Sequence, residues 1–226
     1  IDDAKGDSAA FASCVEQVRA ITDKPLILIS KDPRVMEAGL AKATGRRSLI
    51  YAANADNVAQ MAALAAKHGS PLAVQGDGLS QLAEVVEQPN KAGVEEMVLD
   101  PGARGFGNTL NTFTQIRRLA LRAKERLVGY PVIAFPGEGS ISPEEEALLA
   151  SQLVTKYAGI VVLDHFAPHH AYPMLTLRQN IYTDPQKPIQ VAPGVYPIRD
   201  PGKDSPVLVT TNFSLTYFSV AGEVDG

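Results

Sequence analysis

The chain has 226 residues, 45% hydrophobic and 20% charged, enough to bury one substantial core and within the size range of a single α/β barrel. Its formal net charge of -4 leaves no basic surplus for nucleic acid or for an anionic membrane surface. One cysteine excludes an intrachain disulfide and gives no sign of an oxidising compartment, so a cytoplasmic setting is expected, and no apolar run approaches the roughly 20 residues of a bilayer-spanning helix.

From the N-terminus, the pattern predicts a helix over 8–21 and then short β-rich runs at 26–30, 48–52, 72–75, 97–100, 132–135, 160–163 and 189–191. Amphipathic stretches lie between them, clearest at 55–68 and 110–127, where apolar residues recur every three or four positions. Runs such as Leu26-Ile-Leu-Ile29 and Ile160-Val-Val-Leu163 are apolar throughout, as strands covered on both faces must be. Asp32 before Pro33 and Ser142 before Pro143 place a capping oxygen ahead of a first-turn proline, and Glu144, Glu145 and Glu146 suit a helix N-terminus. Gly45, Gly69 and Gly159 are expected helix stops.

A barrel normally opens with a strand, so the helix at 8–21 implies a first strand that is missing from this chain and lies upstream of it. Seven visible strands and that one make eight, whereas a doubly wound sheet needs five or six. The expectation is therefore an α/β chain with a TIM-type (β/α)8 barrel over 1–192, the doubly wound sheet being the alternative. Prolines and glycines crowd 193–204 and predict a linker. Beyond it, a strand at 207–210 and a helix at 212–220 read as the start of a second unit over 205–226. Beginning at Ile1 and ending just after an apolar stretch, the chain is expected to be part of a longer protein.

Several strands end in polar residues: Ser30 to Asp32, Asn54, Gln75 and Asp77, Asp100, and Asp164 with His165. They would ring the C-terminal mouth of a barrel, where barrel enzymes hold their chemistry, although capping and loop-holding, which Asp and Asn do in barrels of every function, is the favoured reading. The glycine-rich segment 100–109 with Arg104 could approach an anion, yet it has neither dinucleotide nor P-loop spacing and reads as a connecting loop. His165, His169 and His170 beside Asp164 lack a distant fourth ligand, so no metal is expected. Cys14 on the stripe Phe11, Cys14, Val15, Val18 is expected to pack in the core. Ser140 lacks nucleophile-elbow spacing, and no catalytic residue is nominated. In the segment 205–219, hydroxyls and apolar side chains mingle where a strand hands over to a helix. Thr210 and Thr211 could cap that helix or, with Phe213, Tyr217 and Phe218, hold the amide fringe of a large cofactor.

Two segments, Thr176-Leu-Arg-Gln-Asn-Ile-Tyr-Thr-Asp-Pro-Gln-Lys-Pro188 and Ser205-Pro-Val-Leu-Val-Thr-Thr-Asn-Phe-Ser-Leu-Thr-Tyr-Phe218, closely resemble the large, or gamma, subunit family of corrinoid iron-sulfur proteins. The resemblance extends to Pro25-Leu-Ile-Leu, Leu49-Ile-Tyr-Ala-Ala, Val98-Leu-Asp-Pro-Gly and Asn111-Thr-Phe-Thr-Gln-Ile-Arg-Arg118. It implies a barrel set between an N-terminal domain carrying a 4Fe-4S cluster on four cysteines and a C-terminal domain holding a cobamide. Neither cofactor is expected on this stretch alone, because Cys14 matches no cluster ligand and most of the cobamide domain lies outside it. The implied role is a methyl carrier rather than a self-sufficient enzyme. Cobalt would receive a methyl group from methyltetrahydrofolate through a methyltransferase and deliver it to acetyl-CoA synthase in the reductive acetyl-CoA pathway. The implied partners are the small subunit, that methyltransferase and acetyl-CoA synthase. Thr210, Thr211, Asn212 and Thr216 are the implied cobamide contacts. Two alternatives stay open: a barrel that binds a pterin through Asn54, Asp77 and Asp100, and a barrel that serves only as a subunit interface.

Overall fold

Aliphatic runs without polar interruption form six strands: β1 Ile27–Ile29, β2 Leu49–Ala53, β3 Leu72–Gln75, β4 Met97–Asp100, β5 Val132–Ala134 and β6 Ala158–Val161. All pair in parallel, and their order across the sheet is their order in the chain. The structure is a computed structural model and describes residues 1–3, 6–183 and 190–225. Helix α1 (Ser8–Ile21) precedes β1, and α2 (Pro33–Lys42), α3 (Val58–His68), α4 (Gly78–Lys91), α5 (Phe106–Arg118) and α6 (Pro143–Thr155) follow successive strands. Helix α7 (Pro168–Thr183) follows β6.

Alternation along each strand sorts side chains onto two faces. Leu28, Ile50, Leu72, Leu99 and Ala134 join a large core with Met36, Met61, Leu82, Phe113 and Leu149 from the helices. Their neighbours Ile29, Tyr51, Ala73, Val98, Ile133 and Phe135 gather in a second cluster to which no described helix contributes. Helices on one face and a side-chain-filled interior on the other are the winding of a (β/α) barrel; a doubly wound sheet would carry helices on both faces and reverse its strand order. The strand expected to be missing before α1 is represented in part: residues 1–3 pair with the edge of β1. There Ile29 N donates to Ile1 O at 2.8 Å, Asp3 N donates to Ile29 O at 2.9 Å, and Asp2 bridges in parallel to Ile29.

Local chemistry sets the helix ends. Asp32 Oδ1 accepts from Arg34 N at 2.8 Å, Ser142 Oγ accepts from Glu145 N at 3.2 Å, and Gly69 closes α3 at φ 59, as the sequence predicts. Gly159 does not stop a helix. It lies within β6, where a Cβ would stand 3.0 Å from Pro131 Cβ, and Tyr157 at φ 77 makes the turn out of α6 instead. The stretch 110–127 is not one helix: α5 gives way to a π turn over Leu119–Ala123 and then a 3-10 turn over Arg126–Val128. Cys14 is exposed rather than packed in the core, because the buried stripe of α1 runs through Phe11 and Val15, four residues apart, and leaves Cys14 one step off it.

The described chain divides into two compact units after Met174. In the second, Gln190 bridges antiparallel to Phe213, and α8 (Ser214–Asp225) begins two residues later than the expected helix. The expected strand at 189–191 starts at a residue outside the described ones. The segment 207–210 forms no described ladder. A strand exists only by pairing, and the described residues supply it no neighbour.

The Phe11 ring packs so closely on Gly39 that any Cβ there would collide with it, which ties α1 to α2. Replacing Phe11, 4% exposed, with Ala is expected to cost about 3–5 kcal/mol, read as a lowered urea midpoint of unfolding. An unchanged midpoint would show that α1 lies outside the cooperative core.

Candidate functional site

The most polar part of the barrel interior is at its mouth, around Asp100. This residue ends β4, is fully buried, and pairs in register with Gln75 at the end of β3. Alternation turns it to the same side as Val98, where Tyr51 of β2 also points. Tyr51 Oη donates to Asp100 Oδ2 at 2.6 Å. Gln75 Nε2 donates to the same oxygen at 3.2 Å and to Tyr51 Oη at 3.1 Å. Gly102 N donates to Asp100 Oδ1 at 2.9 Å, and Arg104 forks onto both carboxylate oxygens at 3.1 Å. The guanidinium also donates through Nε to Glu138 and lies 5.5 Å from the centroid of Phe135, a ring that packs 4.8 Å from that of Tyr51.

Two glycines allow this closure. Gly102 has φ 70, and a Cβ on it would stand 2.7 Å from Gly76 O, while one on Gly76 would stand 2.5 Å from Leu82 N. The loops after β3 and β4 therefore touch backbone to backbone. Burial, then the adjacent Asp100 carboxylate, push the Tyr51 phenol far above its ordinary pKa. Burial opposes the charge on Arg104, but its bonds to Asp100 and then Glu138 outweigh that and hold the guanidinium above its ordinary value. A carboxylate offers about four lone-pair directions, and five N-H and O-H contacts engage those of Asp100. The constellation is a satisfied polar plug, with Tyr51 a neutral donor and Arg104 a fixed cation.

The other mouth residues do not join it. Asn54 Oδ1 accepts from Asp56 N at 2.9 Å and Asn57 N at 3.2 Å, which shapes the entry to α3. Asp77 sits at the start of α4, its backbone N donating to Gln81 Oε1 at 2.6 Å, and no described hydrogen bond links Asn54, Asp77 and Asp100. Ser30 Oγ donates to Asp3 Oδ2 at 3.0 Å. Asp32, held at a pKa of about 2 by its hydrogen bonds to Arg34, caps α2. The glycine-rich loop 100–109 has its one arginine engaged by two carboxylates, so it acts as a connector. A second buried carboxylate, Glu146, is 2% exposed and accepts from Asp164 N at 2.6 Å and His165 Nδ1 at 2.8 Å. The rings of His169 and His170 meet edge to face with centroids 4.1 Å apart, and among the described residues no three His, Cys, Asp or Glu side chains converge on a metal position.

Sequence reasoning named Gln75, Asp100 and Arg104 but missed Tyr51, Glu138 and Glu146. The signal for Tyr51 was its place between Ile50 and Ala52 in an apolar strand, two residues on from Leu49, whose interior face it shares. Glu146 stood third in a run of three glutamates that suited a helix N-terminus, with nothing to set it apart from Glu144 and Glu145. In the second unit, Thr210 and Thr211 are exposed in the segment before α8, while Asn212 and Thr216 are half-buried. Thr216 lies within the first turn of α8, not past it. Asn212 O accepts from Val191 N at 2.9 Å.

Removing Asp100 would strand Arg104 and Tyr51, so Asp100→Ala is expected to lower stability by about 3–5 kcal/mol. Tyr51 also sets an alkaline signature. A free phenol titrates near 10; the unfolded chain loses this proton first, binds fewer protons than the folded chain, and stability falls as pH rises above about 10. Urea midpoints followed from neutral to alkaline pH should show a shallower loss in Tyr51→Phe than in the parent. Equal slopes would contradict the assignment.

Three comparisons place the chain. The sequence model of the family described as CO dehydrogenase/acetyl-CoA synthase delta subunit matches residues 1–226. The chain is 47% identical over 219 residues to the corrinoid/iron-sulfur protein large subunit of Moorella thermoacetica, covering 97% of this chain and 49% of that protein. It is 36% identical over 230 residues to the acetyl-CoA decarbonylase/synthase complex subunit gamma of Methanothermobacter thermautotrophicus, covering 97% and 50%. The chain thus spans about half the length of these curated relatives. Among solved structures, a Yersinia pestis DHPS bound to a pterine-sulfa conjugate superposes with a TM-score of 0.57 at 15% identity, covering 81% of this chain and 79% of that one. The 7,8-dihydropteroate synthase of Vibrio fischeri gives 0.56 at 16% identity, covering 77% and 74%. These two likenesses show the barrel fold alone. On the match along its whole length and on its identity to the large and gamma subunits, the chain belongs to the CO dehydrogenase/acetyl-CoA synthase delta subunit family.

Proposed function

We propose that the chain is the barrel, with the opening of the cobamide domain, of a corrinoid iron-sulfur methyl carrier working in the cytoplasm. The observation that carries this is 47% identity, along 97% of the chain, to a protein named as a corrinoid/iron-sulfur large subunit. The carrier would take a methyl group from methyltetrahydrofolate through a methyltransferase and deliver it to acetyl-CoA synthase, with the small subunit as its standing partner. The barrel is the scaffold. Its saturated Asp100 plug supports that division, since no group in it is free to move a proton or hold a substrate. No described helix is long and apolar enough to cross a membrane.

The residues of the second unit fit a cobamide. Val207, Leu208 and Val209 are 77%, 56% and 93% exposed and Phe218 is 64% exposed, close in sequence to the hydroxyls of Thr210, Thr211 and Thr216 and the amide of Asn212. Apolar and hydrogen-bonding side chains exposed within one short stretch of sequence suit a large ring fringed with amides. A bound cobamide supplies a cobalt that accepts and releases the methyl group. The chain's own part is to bind and orient it: Thr210 from the segment before α8, Thr216 from that helix's first turn, with Thr211 and Asn212 between them. An iron-sulfur cluster does not fit the residues present, because the chain has a single cysteine and a 4Fe-4S cluster requires four thiolates. In the reading proposed, the cluster belongs to a part of the longer protein outside this sequence. A pterin bound through Asp100 would have to displace the donors around it, which favours the carrier reading over a pterin site of Asn54, Asp77 and Asp100.

Each hydroxyl contributes about 0.5–1.5 kcal/mol of net hydrogen bonding. Full-length protein carrying Thr210→Val and Thr216→Val together is therefore expected to bind cobalamin roughly tenfold more weakly in a spectroscopic titration. Unchanged affinity in the double variant would refute the assignment.

A further inference from the structure

The end of the barrel opposite the mouth has a surface the carrier role does not use. Arg117, Arg118, Arg122, Lys124 and Arg126 follow one another where α5 loosens into its π turn, and Lys156 lies at the end of α6. All six are exposed. Glu125 is the single carboxylate in the run, and it accepts from Leu127 N at 3.2 Å. None of the six cations has a described ion pair. Elsewhere in the first unit, Arg34, Lys42, Arg46, Arg47, Lys67, Lys91 and Arg104 are each paired with Asp or Glu; Arg19, Lys24 and Lys31 also lack a described ion pair but form no run of this density. The negative end of α5 accounts for Arg117 and Arg118 beside its last turn, but not for the cations beyond it. A concentration of unpaired positive charge on a chain whose net charge is -4 is complementary to an acidic surface.

Beneath this patch lies a cavity of about 270 Å³ at the starts of β5 and β6, lined by Phe113, Ile116, Val128, Tyr130 and Tyr157 among others. Tyr157 is at its rim, with Arg117 Cζ 5.9 Å and Lys156 Nζ 6.0 Å from its ring centroid. Leu121, and to a lesser degree Leu119, stand exposed among the cations. Phosphate backbones make no use of an apolar cavity or an exposed leucine, and two leucines are too little for a lipid surface. Arginine and tyrosine around an apolar pocket are the composition of a protein docking site. We propose that this face docks an acidic segment of a protein partner, its carboxylates on the arginines and lysines and an apolar side chain in the cavity.

The proposal stands apart from the carrier reading. Its test uses the full-length protein and a fluorescein-labelled peptide of glutamates flanking a central phenylalanine, followed by anisotropy. The parent should bind, more weakly as salt rises. Arg118→Glu, Arg122→Glu and Lys124→Glu together should weaken binding by about tenfold or more, while the same variant keeps its cobalamin affinity. Reversing Arg34, Lys42 and Lys67, paired elsewhere on the barrel, should leave peptide binding within about twofold. Replacing the peptide's phenylalanine with serine should weaken it severalfold. No binding by the parent, full affinity in the triple variant, an equal loss in the control variant, or indifference to the serine peptide would overturn the proposal. So would tighter binding of duplex DNA or phosphatidylserine vesicles than of the peptide.

Discussion

A carboxylate removed from water at the C-terminal end of an inner strand of the parallel sheet is the constraint around which the barrel mouth is arranged. Asp100 has no exposure, and an unpaired charge there would be incompatible with a stable fold. Its partners come from each neighbouring element in turn: Tyr51 from β2, Gln75 from β3, Gly102 and Arg104 from the loop after β4, and Glu138, through Arg104, from the loop after β5. Meeting one electrostatic demand therefore fixes the C-terminal ends of four successive strands. The loop that supplies Gly102 and Arg104 must touch the backbone of the loop after β3, which requires glycine at 102.

Much of the layout was legible because it rests on short-range rules. The unbroken apolar runs gave the parallel strands, those at 72–75 and 97–100 with both bounds correct, and Asp32, Ser142 and Gly69 marked helix ends by hydrogen bonds local to the chain. The failures share one cause, tertiary context. Cys14 lay on a plausible stripe, but the packing of α1 on α2 is decided by Phe11 and Val15. Gly159 resembled a stop, yet its lack of a side chain is needed for close approach to Pro131 within a strand. The polar mouth was visible as a list of strand-end residues. That Asp100 sits in the interior while Asn54 only shapes a helix entry depends on strand register across the sheet, which a single sequence does not display.

The two units differ in the character of their surfaces. The first closes its polar groups on one another at the mouth and keeps a continuous core between sheet and helices, as a scaffold must. The second exposes valines, a leucine and aromatic rings close in sequence to three threonine hydroxyls. A methyl carrier of the kind proposed would need such a division of labour: a rigid body, and a separate element that carries the reactive group. In the proposed carrier, the barrel supplies the first and residues around Thr210 and Thr216 begin the second.

The most direct measurement is cobalt analysis with a visible absorption spectrum of the full-length protein purified without oxygen. A methyl carrier should hold stoichiometric cobalt and show a corrinoid spectrum that responds to reduction and methylation. Full-length protein that holds no cobalt, and takes up none when refolded with cobalamin, would contradict that role.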